Sequence, residues 1–196
     1  MENTEPHMEK MILLLMGLLL MVVSCEKSKD LKGDDLHPVK LENPVNGFID
    51  INADQLADFA IEYVEYATHD VPSSGGSITG SLHPLNQNLL LFRNPDGYLF
   101  LDYNDTIRKG AEGNGQWLGF KADLITLNRH YETWDNEWTV LSDKHSNYML
   151  GFKLLLGDAE KIGWLRLEFD TTNGDIFIMD GVYTGKGELI IQTIPN

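Results

Sequence analysis

Cysteine is almost absent from this chain of 196 residues, in which Cys25 is the single example. One cysteine cannot form a disulfide within its own chain, so no internal disulfide staples the fold. The small disulfide-rich domains of secreted proteins are therefore excluded as a class. The one thiol lies directly after a long run of apolar residues.

Positive charge is also scarce. The chain carries 15 Lys and Arg against 30 Asp and Glu, which gives a formal net charge of −15 at pH 7. Nucleic-acid binding depends on basic side chains that neutralise phosphates, so we expect no nucleic-acid partner. The same charge balance argues against adhesion to anionic lipid through a basic face. The acidic excess suits solubility or cation binding.

The common catalytic motifs are missing. The sequence contains no Gly-x-Ser-x-Gly, no phosphate-binding loop and no Gly-x-Gly-x-x-Gly. The histidines after Cys25 never form His-x-x-x-His, so the sequence does not predict a zinc site; they are His37, His69, His83, His130 and His145. Carboxylates are abundant, and two of them acting as acid and base would make the protein a small glycan-processing hydrolase. We favour a non-catalytic protein and keep the hydrolase as the alternative.

The longest apolar run, Met11–Val23, has 13 residues. A helix that crosses a bilayer needs about 20, whereas the shorter length is typical of a secretory signal. The run ends in Val22-Val23-Ser24-Cys25, which resembles the lipobox of bacterial lipoproteins. The resemblance implies that residues 1–24 are a signal peptide and that Cys25 is acylated and becomes the mature N-terminus. We therefore expect an acyl anchor in the bacterial cell envelope, and Glu26 after the cysteine favours the outer membrane.

The remaining chain divides into two parts by composition. Residues 25–43 are polar and charged and lack an apolar period, which is typical of a tether between an anchor and a domain. Residues 44–196 are long enough for one domain with its own core. Without residues 1–24 the chain keeps 14 Lys and Arg and 27 Asp and Glu, a net charge of −13.

Alternation of apolar and polar residues predicts β structure after residue 44. In GWLRLEFD, residues 163–170, it places Leu165, Leu167 and Phe169 on one face of a strand. Asn173-Gly174 then predicts a hairpin turn. Other predicted strands are GFIDI, DFAIEYVEY, NLLLFR, GYLFLDY, QWLGFKADL, NEWTVL, YMLGFKLLL, IFIM and ELIIQTI. No stretch of 12 or more residues has a convincing helical period, so we predict an all-β fold, an antiparallel β-sandwich or jelly roll.

The loop Asp50–Asp58 is the clearest candidate for a metal site. Oxygen-bearing side chains stand at its positions 1, 3, 5 and 9, and these are Asp50, Asn52, Asp54 and Asp58. Alternate oxygens, with the backbone carbonyl of Leu56, suit Ca²⁺. The spacing resembles the calcium loops of EF-hand-like and extracellular β-rich bacterial modules. Position 6 holds Gln55 instead of glycine, which predicts a strain of about 1 kcal/mol. Position 12 holds Ile61 instead of a bidentate glutamate. The alternative is a polar turn whose carboxylates face water.

Aromatic and acidic residues interleave in one segment, Trp134-Asp135-Asn136-Glu137-Trp138. In an extended conformation Trp134, Asn136 and Trp138 share one face, with the indoles about 7 Å apart. Such a face predicts stacking against sugar rings, with Asn136 as a hydrogen-bonding group. The alternative is that the tryptophans pack beneath the rim of the sandwich, since large aromatic side chains usually bury their surface.

Residues 148–183 contain YMLGFKL, GWLRLEFD and GDIFIMDGVY in succession. This stretch resembles the last strands of a group of secreted and lipid-anchored β proteins from Bacteroidetes-type bacteria, and the likeness extends loosely over residues 48–185. The resemblance implies an envelope location and a β-sandwich but no particular activity. We expect a non-catalytic lipid-anchored module that binds or scaffolds a glycan or another envelope protein. A purely structural part of a larger surface complex is a further alternative.

Overall fold

Strands, turns and bends make up the secondary structure of this protein wherever the structure describes it. The structure is a computed structural model that describes residues 36–39, 47–67, 75–93, 100–110, 115–130, 133–142 and 148–192. No helix occurs within these ranges. The predicted all-β class is therefore confirmed, and the antiparallel sheets pack in a sandwich-like arrangement.

The described strands are numbered along the chain. They are β1 His37–Pro38, β2 Phe48–Ile49, β3 Phe59–Ala67, β4 Gly76–Pro84, β5 Leu89–Arg93, β6 Phe100–Leu101, β7 Thr106–Arg108, β8 Gly115–Leu118, β9 Ala122–His130, β10 Thr133–Trp134, β11 Thr139–Val140, β12 Tyr148–Leu156, β13 Ala159–Asp170, β14 Asp175–Thr184 and β15 Glu188–Ile190.

Seven strands form what we call the main sheet, in the order β1-β14-β13-β12-β5-β8, with β6 also paired to β12. Its centre is the antiparallel meander β12–β13–β14. Residues 171–174 connect β13 to β14, so the predicted Asn-Gly turn is confirmed. Gly174 has φ +81 there, a left-handed conformation that glycine adopts without the strain of a side chain.

Six strands form the second sheet, in the order β10-β9-β4-β3-β2, with β11 also paired to β9. Its β3 confirms the strand predicted for DFAIEYVEY. Its β4, with the sequence GSITGSLHP, was not predicted, because glycine and serine have low strand propensity. This segment forms a strand because β3 and β9 hydrogen-bond to it on both sides.

The main core lies between these two sheets. Phe59 of the second sheet meets Phe152 of the main sheet edge to face, with ring centroids 5.8 Å apart. Leu165 and Leu167 belong to the same buried cluster and Phe169 packs against it, as the alternation in β13 predicted. Alternate residues of the strands thus close the sandwich with apolar side chains from both layers.

The opposite face of the main sheet is covered as well. A small antiparallel sheet of β7 and β15 supplies Ile107 and Leu189, and these residues cluster with Met149, Ile162 and Trp164 of β12 and β13. Because of this second cover, β12 and β13 are buried on both faces over part of their length. Alternation in the sequence predicted burial on one face only.

Two segments depart from their predicted boundaries. His37–Pro38 lie in the stretch predicted as a tether, yet they form β1 and pair with Tyr183 and Val182 of β14. The stretch QWLGFKADL, predicted as one strand, is divided between β8 of the main sheet and β9 of the second sheet. Gly119–Lys121 is the crossing between the two layers.

Candidate functional site

The acidic loop Asp50–Asp58 connects β2 to β3 at one end of the second sheet. Its two ends are tied together, since the Asp58 backbone N–H donates to the Ile49 carbonyl at 2.7 Å. Ile51 is buried in the main core, while Leu56 has 63% of its surface exposed. The loop is therefore anchored at its base and presents its tip to solvent.

Side-chain oxygens hold the backbone of the acidic loop in place. Asp50 accepts the N–H groups of Ala53 and Gln55, both at 2.7 Å. The Asn52 amide oxygen accepts the Asp54 N–H at 2.9 Å, and the Asp54 carboxylate accepts the Leu56 N–H at 2.9 Å. Side-chain oxygens of alternate residues thus accept backbone N–H groups within the loop, while the cation site itself stays a prediction.

The same loop contains two residues in the left-handed conformation. Ala53 has φ 59 and Gln55 has φ 72, although neither is glycine. The resemblance to calcium loops predicted that position 6 needs positive φ, and Gln55 adopts it at an expected strain of about 1 kcal/mol. The hydrogen bonds that both backbone N–H groups donate to the Asp50 carboxylate are the observed interactions that hold this conformation.

Asp58 differs from the other predicted ligands because it points into the protein. It is 3% exposed, and its carboxylate accepts the Ile51 N–H at 2.9 Å and the Asn88 side-chain amide at 3.1 Å. Burial raises the pKa of Asp58, and the negative charges of Asp54 and Asp50 raise it further. The two hydrogen bonds act in the opposite direction.

Asn88 extends this contact to the main sheet. Its side-chain oxygen accepts the Leu155 N–H of β12 at 2.9 Å, while its nitrogen donates to Asp58. The side chain of Asn88 is buried with its hydrogen-bonding groups paired in both directions. Asp58 and Asn88 thus join the start of β3 to the end of β12. No local pattern in the sequence indicates this connection, because the two residues stand 30 positions apart.

Several oxygen atoms of the acidic loop are of the kind that binds a hard cation. Each oxygen of Asp50 accepts one backbone N–H, and a carboxylate oxygen has a second lone pair. Within the described ranges, no three His, Cys, Asp or Glu side chains come together as a metal-binding group. A cation bound here would rest on Asp50 and Asp54, the Asn52 amide oxygen and the Leu56 carbonyl, with water completing the shell.

The segment with two tryptophans is not one extended strand. β10 ends at Trp134 and β11 begins at Thr139, and the residues between them form a bend. The Trp138 indole packs against the main core, 5.9 Å from the Tyr63 ring between centroids, and lies over Gly174. This position matches the packing alternative for Trp138.

The other members of that segment lie nearer to solvent. Trp134 is half-buried, with the Arg129 guanidinium 5.8 Å from its ring centroid. Asn136 is exposed in the bend. Since the segment is not extended, the regular alternation that would align Trp134, Asn136 and Trp138 on one face is interrupted.

The hydrolase alternative requires two carboxyl groups with different pKa values close to each other. Asp170 is partly exposed, and hydrogen bonds from the Asn173 side chain and the Thr172 backbone lower the pKa of its carboxyl group. Asp58, whose pKa is raised, lies at the opposite end of the sandwich, next to the end of β12. Ten paired positions of β13 separate these ends, roughly 30 Å at the rise of a strand, so these two groups do not form an acid–base pair.

A buried lysine is a feature that sequence reasoning missed. Lys153 of β12 is 6% exposed, and its ammonium group donates to the Lys109 carbonyl at 2.6 Å. Glu160 lies 3.4 Å from the same nitrogen, and the Trp117 ring centroid lies 5.2 Å away. The YMLGFKLLL pattern could have pointed to it, since a lysine interrupts an otherwise apolar strand.

The predicted lipidation site, Cys25, lies outside the described residues, as do His69 and His145. No helix in the ranges that the structure covers is long and apolar enough to cross a membrane. No protein family matches this chain, and neither does any curated protein or solved structure.

Proposed function

We propose that this protein is a non-catalytic, lipid-anchored module of the bacterial cell envelope, held on the outer membrane by acylated Cys25, that binds or scaffolds a glycan or another envelope protein. The observation that carries the proposal is the position of the single cysteine, directly after a 13-residue apolar run and in the sequence Val22-Val23-Ser24-Cys25. Acyl chains contribute about 0.8 kcal/mol for each buried CH₂, so two or more chains anchor a domain stably.

The fold is consistent with such a module. The two-sided burial of the main sheet provides a stable scaffold without disulfides. Asp58, whose pKa is raised by burial, accepts hydrogen bonds from Ile51 and Asn88 inside the protein. In this proposal Asp58 is therefore a structural group that connects the two sheets through Asn88.

The anchor is tested by comparing the wild type with Cys25→Ser in the producing bacterium. We expect the mature wild-type protein to begin at acylated Cys25 by mass spectrometry and to enter the detergent phase in detergent phase separation. Cys25→Ser should keep its upstream residues and lack the acyl mass. A wild-type protein that retains residues upstream of Cys25, or that carries a free thiol, would contradict the proposal.

We also propose that the acidic loop binds Ca²⁺ and is stiffened by it. Alternate oxygens at Asp50, Asn52 and Asp54 support this, as do the left-handed conformations of Ala53 and Gln55. A bound cation would offset the mutual repulsion by which Asp50 and Asp54 raise the pKa of Asp58. Asp58 would then support the loop from the side of the core.

The calcium proposal predicts a higher thermal midpoint in Ca²⁺ than in chelator. At a free concentration about 100 times Kd, the native state gains about 2.7 kcal/mol. For a domain of this size that corresponds to a shift of roughly 5–10 °C. Asp50→Asn with Asp54→Asn should abolish the shift in midpoint between Ca²⁺ and chelator. Asp170→Asn, which changes a partly exposed and hydrogen-bonded carboxylate outside the loop, should preserve this shift. An unchanged midpoint of the wild type in millimolar Ca²⁺ would refute calcium binding.

A further inference from the structure

The described domain begins at one end of the sandwich, which we call the proximal end. β1 pairs His37 with Tyr183, close to the last residue of β14. The pairing continues to Val39, whose N–H donates to the Gly181 carbonyl at 2.9 Å and whose side chain is buried in the main core. The His37 ring also stacks on the Tyr183 ring, with centroids 5.1 Å apart. The chain is thus fastened to this end before the rest of the domain begins.

Both sheets contribute to the proximal end. The acidic loop closes the second sheet there, because it joins β2 to the first residue of β3. Asn88 bonds Asp58 to Leu155 near the end of β12, so the two sheets end together. The crossing Gly119–Lys121 reaches the same end, since Ala122 pairs with Leu82 and Leu118 with Leu90.

Large apolar side chains are exposed at the proximal end. Leu36 precedes β1 and is 37% exposed, Leu56 lies in the acidic loop at 63%, and Phe120 lies in the crossing at 69%. Phe48 of the edge strand β2 pairs with Ala60 beside the loop and is 54% exposed. These four residues come from separate segments of the sequence, and only the fold brings them to one end.

The length of chain between the predicted anchor and this end is limited. The roughly 11 residues from Glu26 to Leu36 span at most about 40 Å even when fully extended. When a domain is attached through so short a segment, its proximal end lies nearer to the anchor than the β13–β14 hairpin does. The free energy falls when exposed apolar side chains move from water into the boundary between headgroups and acyl chains.

We propose that the proximal end is a lipid-contacting surface, with Leu36, Phe48, Leu56 and Phe120 facing the bilayer that holds the acyl chains. This inference rests on the proposed function, because it requires the anchor at Cys25. The partner is the lipid surface itself. The β13–β14 hairpin, with exposed Phe177, then points away from the membrane.

The charges around the apolar residues set the preferred lipid. Asp50 and Asp54 flank the tip of the acidic loop, and anionic headgroups repel them. Lys121 is engaged by Tyr66 and Asp123 and does not reverse this balance. In chelator, contact should accordingly be closer on phosphatidylcholine vesicles than on vesicles rich in phosphatidylglycerol, and the difference should diminish in high salt.

The test uses the acylated mature protein, which begins at Cys25, in phosphatidylcholine vesicles that contain a lipid with a nitroxide quencher near the headgroup. A thiol-reactive, environment-sensitive fluorophore is placed at Leu56→Cys, at Phe120→Cys as a second position of the proximal end, and at Phe177→Cys as the matched exposed control. Acylated Cys25 does not react with the label. Flotation of the vesicles and the thermal midpoint are measured for each labelled protein.

We expect several-fold stronger quenching at positions 56 and 120 than at position 177, with a blue shift at the first two. Equal quenching at all three positions, or stronger quenching at 177, would overturn the orientation. Proteins that float with the vesicles but show no quenching at 56 or 120 would refute lipid contact and leave the anchor intact. Failure to float would refute the anchor, and lipid contact with it.

Discussion

Single side chains decide how the acidic loop is connected to the rest of the protein. Asp50, Asn52 and Asp54 hold the loop backbone from within, and Asp58 ties its base to Asn88. The burial of Asp58 is not evident in the sequence, because its spacing from Asp50 equally fits a side chain that binds a cation in the loop. Burial removes it from solvent and makes its hydrogen-bond partners essential.

Replacing Asp58 with asparagine should destabilise the fold. The asparagine nitrogen would face a donor, either the Ile51 N–H or the Asn88 amide, so one buried group loses its partner. The expected loss is about 1–3 kcal/mol in the free energy of unfolding, measured by urea denaturation. Asp54→Asn, which changes an exposed acceptor in the same loop, should cost less than about 1 kcal/mol. Equal losses for the two variants would contradict this role of Asp58.

The pH dependence of the same variant follows from the raised pKa of Asp58. The folded state holds this proton more readily than the unfolded state, whose carboxyl titrates near about 3.9. The proton-linked contribution to stability is therefore complete below that value and is lost as pH rises through the folded pKa. The stability difference between wild type and Asp58→Asn should shrink over this rise, measured by urea denaturation at a series of pH values. A difference that grows over the same interval would reverse the assigned direction.

Lys153 is the corresponding residue on the other side of the main sheet. Lys153→Met keeps the aliphatic stem but leaves the Lys109 carbonyl without its 2.6 Å donor. We expect a loss of about 1–3 kcal/mol in the free energy of unfolding. Lys109→Met removes an exposed bond to the Gly185 carbonyl and serves as the control, with an expected loss below about 1 kcal/mol. If both variants unfold at the same urea concentration, the buried bond is not important.

At the scale of elements, the β13–β14 hairpin shows how a turn and a tryptophan depend on each other. Gly174 has φ +81, and a Cβ there would overlap the Trp138 indole. The Tyr63 hydroxyl donates to the Gly174 carbonyl at 2.7 Å, and the backbone N–H of Trp138 donates to the Thr171 carbonyl at 2.8 Å. The turn therefore joins the two sheets at the end of the sandwich opposite the acidic loop.

Gly174→Ala and Gly157→Ala form a matched pair for this hairpin. Both glycines have positive φ, but a Cβ at Gly157 meets nothing within 4 Å. Gly157→Ala should cost about 1–2 kcal/mol from backbone strain alone. Gly174→Ala should cost more and should also alter tryptophan fluorescence, because Trp138 must move. Thermal unfolding and the emission maximum measure the two effects; equal costs with unchanged emission would contradict the contact.

At the scale of the whole molecule, excess negative charge opposes compactness. The chain without residues 1–24 has a net charge of −13, and like charges are closer together in the folded state. Salt at about 0.5 M shortens the screening length to a few ångströms and weakens this repulsion. We expect the thermal midpoint in chelator to rise with NaCl at pH 7. A falling midpoint would mean that favourable ion pairs, such as Arg166 with Asp180, outweigh the repulsion.

Alternation and turn chemistry were sufficient to predict the all-β class, the strands β3, β12 and β13 and the Asn-Gly hairpin, because these depend on residues close in sequence. The same local information predicts cation ligands at Asp50, Asn52, Asp54 and Asp58, and this cation site stays a prediction. The anchor at Cys25 is likewise a prediction of the sequence, and it lies outside the described residues.

Only the tertiary structure decided which side chains are buried by contacts between distant segments of the chain. The small sheet of β7 and β15 covers Trp164, and the Lys109 carbonyl next to β7 accepts a hydrogen bond from buried Lys153. Asn88 donates to the buried carboxylate of Asp58. The Trp138 indole packs against Gly174 of the β13–β14 hairpin. Each of these contacts joins residues far apart in the chain. Their formation depends on how sheets stack and not on the preference of any single segment, and for that reason no local pattern in the sequence announces them.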